Sequence, residues 1–315
     1  MRRAACLWRG VPCPLSRSAW QHRHAIALSL YLDASRVFTS DSGGGEIGGG
    51  RNCARSDAGF SGGGTMTPAL AVEHLQCRYP NGTLALRDLS LDIGVGEVFG
   101  LLGVNGAGKT TMIKVLGTLL RPSAGRVRVL GLDVGRDRVE IKRRIGVMPQ
   151  DINLDTYLDV RQNLIFHCRF HGVAKRESAL RVERWLEVLG LRDKAQEPVL
   201  RLSGGTKRKV MLAKAFLTEP EFLILDEPTA GLDPEMRAFV WNSVLDFRRT
   251  RRTVFLSTHY MEEAERLCDR VGILHGGTLA ALGRPSELTH KVGEDGRPLY
   301  IEMHDVFSNV VGSAA

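Results

Sequence analysis

The sequence predicts an α/β fold: a mostly parallel core sheet with helices on its faces, an antiparallel β flap ahead of it and a helical insert within it. Three observations predict this. First, apolar runs of strand length end in polar residues: residues 98–102 before Gly103, 145–149 before Gln150, 222–225 before Asp226-Glu227, and 253–258 before His259. Unbroken apolar runs mark strands buried on both faces, and ligands gather at the C-terminal ends of such strands. Second, a glycine-rich turn joins the first run to a segment of helical period. Third, the stretch between Gln150 and Leu202 carries helical patterning and no strand-like run.

The elements follow in order. Residues 69–98 read as short strands around an Asn81-Gly82 turn, the antiparallel flap. Val98-Phe99-Gly100-Leu101-Leu102 is the first core strand. Gly103-Val104-Asn105-Gly106-Ala107-Gly108-Lys109-Thr110-Thr111 has the form G-x-x-x-x-G-K-[ST], which places the fold among P-loop NTPases. The loop must wrap a triphosphate with backbone N–H groups, so Gly103, Gly106 and Gly108 keep side chains clear and permit unusual dihedrals. Lys109 would reach the β- and γ-phosphates and Thr110 would ligate Mg²⁺. Met112, Val115, Leu116 and Leu119 recur at helical spacing, with Arg121-Pro122 as the stop. The phosphates would then lie at a helix N-terminus, which favours anions.

Ile145-Gly146-Val147-Met148-Pro149 leads to Gln150. The insert contains helices over residues 161–170 and 177–189, the latter with Leu180, Val182, Trp185, Leu186 and Leu189 as its apolar positions. Leu202-Ser203-Gly204-Gly205-Thr206 follows, and Lys207-Arg208-Lys209 after it reads as a solvated helix face. Phe222-Leu223-Ile224-Leu225 ends in Asp226, placed to hold Mg²⁺, and Glu227, placed to act as general base. His259 closes the next strand and would reach the γ-phosphate. Residues 271–274 and 278–282 flank His275-Gly276-Gly277 as a hairpin.

With these motifs in this order, the chain resembles the ATPase subunits of ATP-binding-cassette (ABC) transporters from about residue 69 to about residue 290. The resemblance implies an ABC ATPase fold with a RecA-like core sheet. It makes Tyr79 the aromatic that stacks on adenine, residues 103–111 the Walker A loop, and Gln150 the Q-loop glutamine that senses Mg²⁺ and the membrane partner. Ser203, Gly204 and Gly205 match the signature motif, which completes the phosphate site of a second subunit. Its usual last residue is Gln; here Thr206 stands in that place. Asp226 and Glu227 match the Walker B aspartate and catalytic glutamate, residues 230–233 the D-loop, and His259 the switch histidine. The helical subdomain, residues 152–215 or so, would contact the permease together with the Q-loop.

The stretches at 257–265 and 284–288 resemble the daunorubicin-resistance-like exporter ATPases. The expectation is therefore ATP and Mg²⁺ as ligands, a separate integral membrane permease, and a second copy of the chain or a paralogous ATPase as dimer partner. An importer ATPase, or another transport role such as cofactor or nodulation-factor export, is the alternative within transport, and an ABC ATPase acting on nucleic acid or the ribosome is the alternative outside it. A single motif set speaks against the ribosome-type members. The short span from Lys109 to Asp226 speaks against the chromosome-type ones. The expected location is the cytoplasmic face of the inner membrane, peripherally.

Composition agrees with a globular chain: 43% hydrophobic and 25% charged residues in 315. No apolar stretch approaches the roughly 18 residues that span a bilayer. Residues 1–65 differ from the rest. They hold eight Arg and no Lys, with glycine clusters at 43–50 and 62–64. A transit peptide, a disordered tail and an annotation extension ahead of a start at Met66 are the three readings, and the family match beginning near Met66 favours the last. The domain is then residues 66–315, with a short tail after about residue 288. The front also supplies half of the +8 net charge. The remainder is too weak a surplus to argue for nucleic acid. The six Cys form no C-x-x-C pair, and Cys77, Cys168 and Cys268 read as core residues.

Overall fold

A computed structural model describes residues 67–292, 298–300 and 306–308; the readings of residues 1–65 and of most of the tail lie outside them. The flap opens with β1 (Leu70–Arg78) and β2 (Leu84–Ile93), paired antiparallel. The turn falls at Asn81-Gly82 as expected: Gly82 has φ 86°, and Asn81 Oδ1 accepts the Thr83 N–H at 3.1 Å. Next come β3 (Val98–Gly103) and α1 (Lys109–Leu116). The chain then returns to the flap as β4 (Ala124–Val129) and β5 (Leu132–Asp133), giving a four-stranded sheet of order β2-β1-β4-β5.

Helix α2 (Arg138–Arg144) leads into β6 (Ile145–Met148). The insert holds α3 (Val160–Phe170), α4 (Lys175–Val188) and α5 (Gly204–Leu217). Asp159 and Gln162 form a capping box that fixes the start of α3. The core resumes with β7 (Phe222–Asp226), α6 (Pro234–Arg249), β8 (Thr253–Thr258) and α7 (Met261–Leu267). It ends with β9 (Arg270–His275) and β10 (Thr278–Gly283), then α8 (Pro285–Thr289), β11 (His290–Val292) and β12 (Pro298–Tyr300). The predicted hairpin is present, its Gly276-Gly277 turn at φ 53° and 82°, the positive dihedrals that a two-residue hairpin turn requires.

The core sheet has the order β10-β9-β3-β8-β7-β6, parallel from β9 to β6 with β10 antiparallel at the edge. Strand parity divides its side chains between two cores. Phe99, Leu101, Phe222, Ile224 and Phe255 face the flap and α1. Val98, Leu102, Leu223, Leu225, Val254 and Leu256 face the helical side, with Val210, Val244 and Leu267. Both faces are covered, so the strands read as continuous apolar runs.

Three expectations are corrected. Helix α1 stops at Leu116, not near Arg121: Gly117 caps it, Thr118 turns to φ 57°, and Leu119 is exposed. On α4, Val182 and Leu186 are buried but Leu180 faces outward. Lys207, Arg208 and Lys209 are only partly exposed, not a freely solvated face. Cys77, Cys168 and Cys268 are free and buried, as read.

Candidate functional site

The C-terminal ends of β3, β7 and β8 lie side by side, because these strands are neighbours in the sheet. The loop after β3 starts where a Cβ on Gly103 would meet the Leu274 carbonyl at 2.7 Å. Gly106 (φ 83°) and Gly108 (φ 115°) hold backbone angles that L side chains rarely adopt. Helix α1 begins directly after them at Lys109, with no side-chain cap on its first N–H groups. Those groups are available to an anion.

Lys109 is 6% exposed; its Nζ donates to Gly103 O (2.6 Å) and Val104 O (3.3 Å). Burial pushes its ammonium below the usual lysine range, while Glu227 and Asp226 pull it back up. Thr111 Oγ1 lies 3.1 Å from the Tyr79 hydroxyl, which ties the flap aromatic to the loop.

Asp226 and Glu227 are buried at the end of β7. Burial pushes the Asp226 carboxyl up, opposed chiefly by the Ser257 hydroxyl; Glu227 adds to the rise, and the Thr110 hydroxyl and Lys109 oppose it. Ser257 Oγ donates to Asp226 Oδ1 at 2.5 Å, and the Glu227 N–H donates to Ser257 O at 3.0 Å. Glu227 sits at φ 48°, in the left-handed region that few non-glycine residues adopt. Its side chain is the meeting point of the site. Oε1 lies 3.2 Å from His259 Nδ1 and 3.8 Å from Lys109 Nζ, and Oε2 accepts from Gln150 Nε2 at 3.3 Å.

The structure thus brings Tyr79, Gly103, Val104, Asn105, Gly106, Ala107, Gly108, Lys109, Thr110, Thr111, Gln150, Asp226, Glu227 and His259 to one end of the sheet. It does not bring Ser203, Gly204 and Gly205 there. Among the described residues, no hydrogen bond or ion pair joins them to the loop. Ser203 instead caps α5, its Oγ accepting the Thr206 N–H (3.3 Å) and lying 2.9 Å from Thr206 Oγ1. Gly204 and Gly205 face open space.

Sequence reasoning missed Ser257, Thr229 and Glu263. Glu263 is wholly buried and binds Thr229 and Trp241. Its signal was that, of the three acids of α7, it alone shares the buried face with Ala264 and Leu267. No group of three or more His, Cys, Asp or Glu suited to a metal occurs among the described residues.

A family model described as ABC transporter matches residues 86–230. The chain is 44% identical over 227 residues to the daunorubicin resistance ATP-binding protein DrrA3 of Streptomyces coeruleorubidus, covering 72% of each chain. It is 40% identical over 230 residues to the Nod factor export ATP-binding protein I of Ralstonia nicotianae, covering 73% of this chain and 71% of that one. A solved ATP binding subunit of an ABC transporter superposes with a TM-score of 0.70 at 28% identity, covering 77% of this chain and 99% of that one. The chain belongs to the ATP-binding proteins of ABC transporters. It binds ATP and hydrolyses it to drive transport. No helix among the described residues is long and apolar enough to cross a membrane.

Proposed function

We propose that the chain powers export through a separate membrane permease, and that Glu227 is its general base. The observation that carries this is the convergence of Lys109, Gln150 and His259 on the buried Glu227 carboxylate. In this reading Lys109 exchanges the Gly103 carbonyl for phosphate oxygens. The loop N–H groups and the α1 N-terminus hold the triphosphate, and Tyr79 stacks on the base. Glu227 then takes the proton of the attacking water while His259 braces it.

Asp226, Thr110 and Gln150 would hold Mg²⁺. Their donors are all oxygens, which suits a hard cation, and the raised Asp226 carboxyl is a buried acid short of positive charge. Bound there, Mg²⁺ supplies charge neutralisation at the β- and γ-phosphates.

Ser203, Gly204 and Gly205 stand exposed, with no hydrogen bond to the loop among the described residues, which supports their use by a second copy packed head to tail. ATP would close that dimer and hydrolysis would open it. Exposed Phe166, Phe170 and Tyr157 on the insert support contact with the permease at the cytoplasmic side of the membrane. The names of the relatives, drug resistance and Nod factor export, support export over import. The test is turnover of the full chain with and without the permease encoded beside it. Stimulation by the permease is expected; turnover indifferent to it, with binding to nucleic acid instead, would contradict the reading.

A further inference from the structure

Glu263 lies in α7 with no exposed surface, yet it is a carboxylate. A buried acid is costly unless it is well bonded. Its Oε1 accepts two bonds from different elements: Thr229 Oγ1 at 3.0 Å, and Trp241 Nε1 of α6 at 3.2 Å. The Thr258 hydroxyl also favours its charged form. Oε2 has no hydrogen-bond partner. Burial pushes the carboxyl up against these donors and the charge of Arg237.

The placement of the donors gives this knot its meaning. Thr229 stands two residues after Glu227 and starts the turn in which Ala230 N–H bonds to Glu227 O (3.2 Å) and Leu232 N–H to Thr229 O (3.1 Å). Thr258 directly precedes His259, and its Oγ1 accepts the Tyr260 N–H at 3.0 Å. Thr229 and Thr258 are themselves fully buried. Through Thr229, Glu263 therefore ties the segment after Glu227 to α7, the helix that begins two residues after His259, and the side chains of these two segments meet at the 3.2 Å contact of His259 Nδ1 with Glu227 Oε1. His259 is 41% exposed, and its ring lies against that of Tyr260, centroids 4.1 Å apart.

We propose that Glu263 is a positioning residue that holds the Glu227 and His259 segments in register for hydrolysis. It touches neither substrate nor reacting atoms and acts through those two side chains. The inference rests on the reading of Glu227 and His259 given above.

The test measures turnover per nucleotide-binding site in the full chain, with site number and affinity taken from titration with a non-hydrolysable ATP analogue. Glu263→Leu removes the acceptor. Thr229→Val removes one donor at nearly constant shape and guards against a Glu263 variant that does not fold. Glu263→Gln keeps an amide oxygen where Oε1 stands. The expected result is a fall of at least tenfold per site for Glu263→Leu, a smaller fall for Thr229→Val, and Glu263→Gln within about threefold of the parent, all at unchanged analogue affinity. In a His259→Ala background Glu263→Leu should cost little more, because residues acting as one unit are non-additive. Full per-site turnover in Glu263→Leu, or a loss that simply multiplies with that of His259→Ala, would overturn the proposal and leave the role of His259 standing. A chain whose turnover survives both Glu227→Gln and His259→Ala would instead remove the reading on which the proposal rests.

Discussion

Glu227 Oε1 lies 3.2 Å from His259 Nδ1 across two neighbouring strand ends, although the residues are far apart in sequence. The register of β7 on β8 sets this, with Asp226 opposite Ser257. The carboxylate and the imidazole emerge from adjacent strand ends, Glu227 one residue and His259 two residues beyond that pair.

Gly205 separates activity from stability. It lies in the first turn of α5, and a Cβ there would meet nothing within 4 Å. Alanine is a better helix former than glycine, by up to about 1 kcal/mol. Gly205→Ala should therefore leave thermal stability unchanged or slightly raised while turnover falls, because in the proposed head-to-tail dimer the added methyl would stand where the partner's nucleotide approaches. Unchanged turnover would contradict the trans role.

Gly108 should behave differently. It combines φ 115° with a Cβ position 2.8 Å from both the Ala85 carbonyl and Leu86 Cδ2. Gly108→Ala should cost at least about 2 kcal/mol, from strain and overpacking together, in addition to losing ATP binding. Denaturant unfolding checks the first effect and nucleotide titration the second.

The proposal gives the Tyr79 ring the task of stacking on adenine, apart from its hydroxyl, which lies 3.1 Å from Thr111 Oγ1. Tyr79→Phe removes only the bond to Thr111 and should leave ATP affinity within a few-fold. Tyr79→Ala also removes the stacking face, worth about 1–3 kcal/mol per base, and should weaken ATP by roughly tenfold or more. Equal effects of the two variants would refute stacking.

His167 predicts a loss of stability in acid. It packs against His171, ring centroids 4.4 Å apart. Burial, then the nearby charges of His171 and Lys214, push His167 from 6.5 down to about 2. His171 is lowered as well, by burial and by Lys214 and Lys142. The unfolded chain takes up a proton near pH 6.5 that the folded chain refuses until far lower pH. Stability is thus complete above about pH 6.5 and falls below it, by at most about 1.4 kcal/mol per pH unit for each such group. His167→Asn should flatten the slope between pH 6.5 and 4.5, measured by denaturant unfolding; an unaltered slope would contradict the assignment.

Much of the fold was legible because buried parallel strands announce themselves. The runs ending at Gly103, Asp226 and His259 are apolar on both faces since α1 and the flap cover one side and the helical insert with α6 and α7 the other. β4 and β5 were not legible. Ala124–Val129 alternates only over its last four residues, Arg126-Val127-Arg128-Val129, has only Val127 and Val129 buried, and takes its place from pairing with β1. The end of α1 was misjudged because Leu119 continues the helical period on a chain that Gly117 has already turned. Leu180 was misjudged because periodicity cannot tell an inner stripe from an outer one where both carry leucine. In the site, the residues with motif spacing are ones that neighbouring strand ends bring together. Glu263 was not legible, because an acid among Glu262 and Glu265 looks like solvated surface until the Thr229 and Trp241 donors are seen around it.

The most direct measurement is ATP turnover and ATP-dependent self-association of the Glu227→Gln chain beside the parent, by phosphate release and light scattering. The account predicts that turnover falls by roughly 10²–10⁴ while ATP still binds and the dimer accumulates. Hydrolysis at the parent's rate, or a chain that stays monomeric with ATP bound, would contradict it.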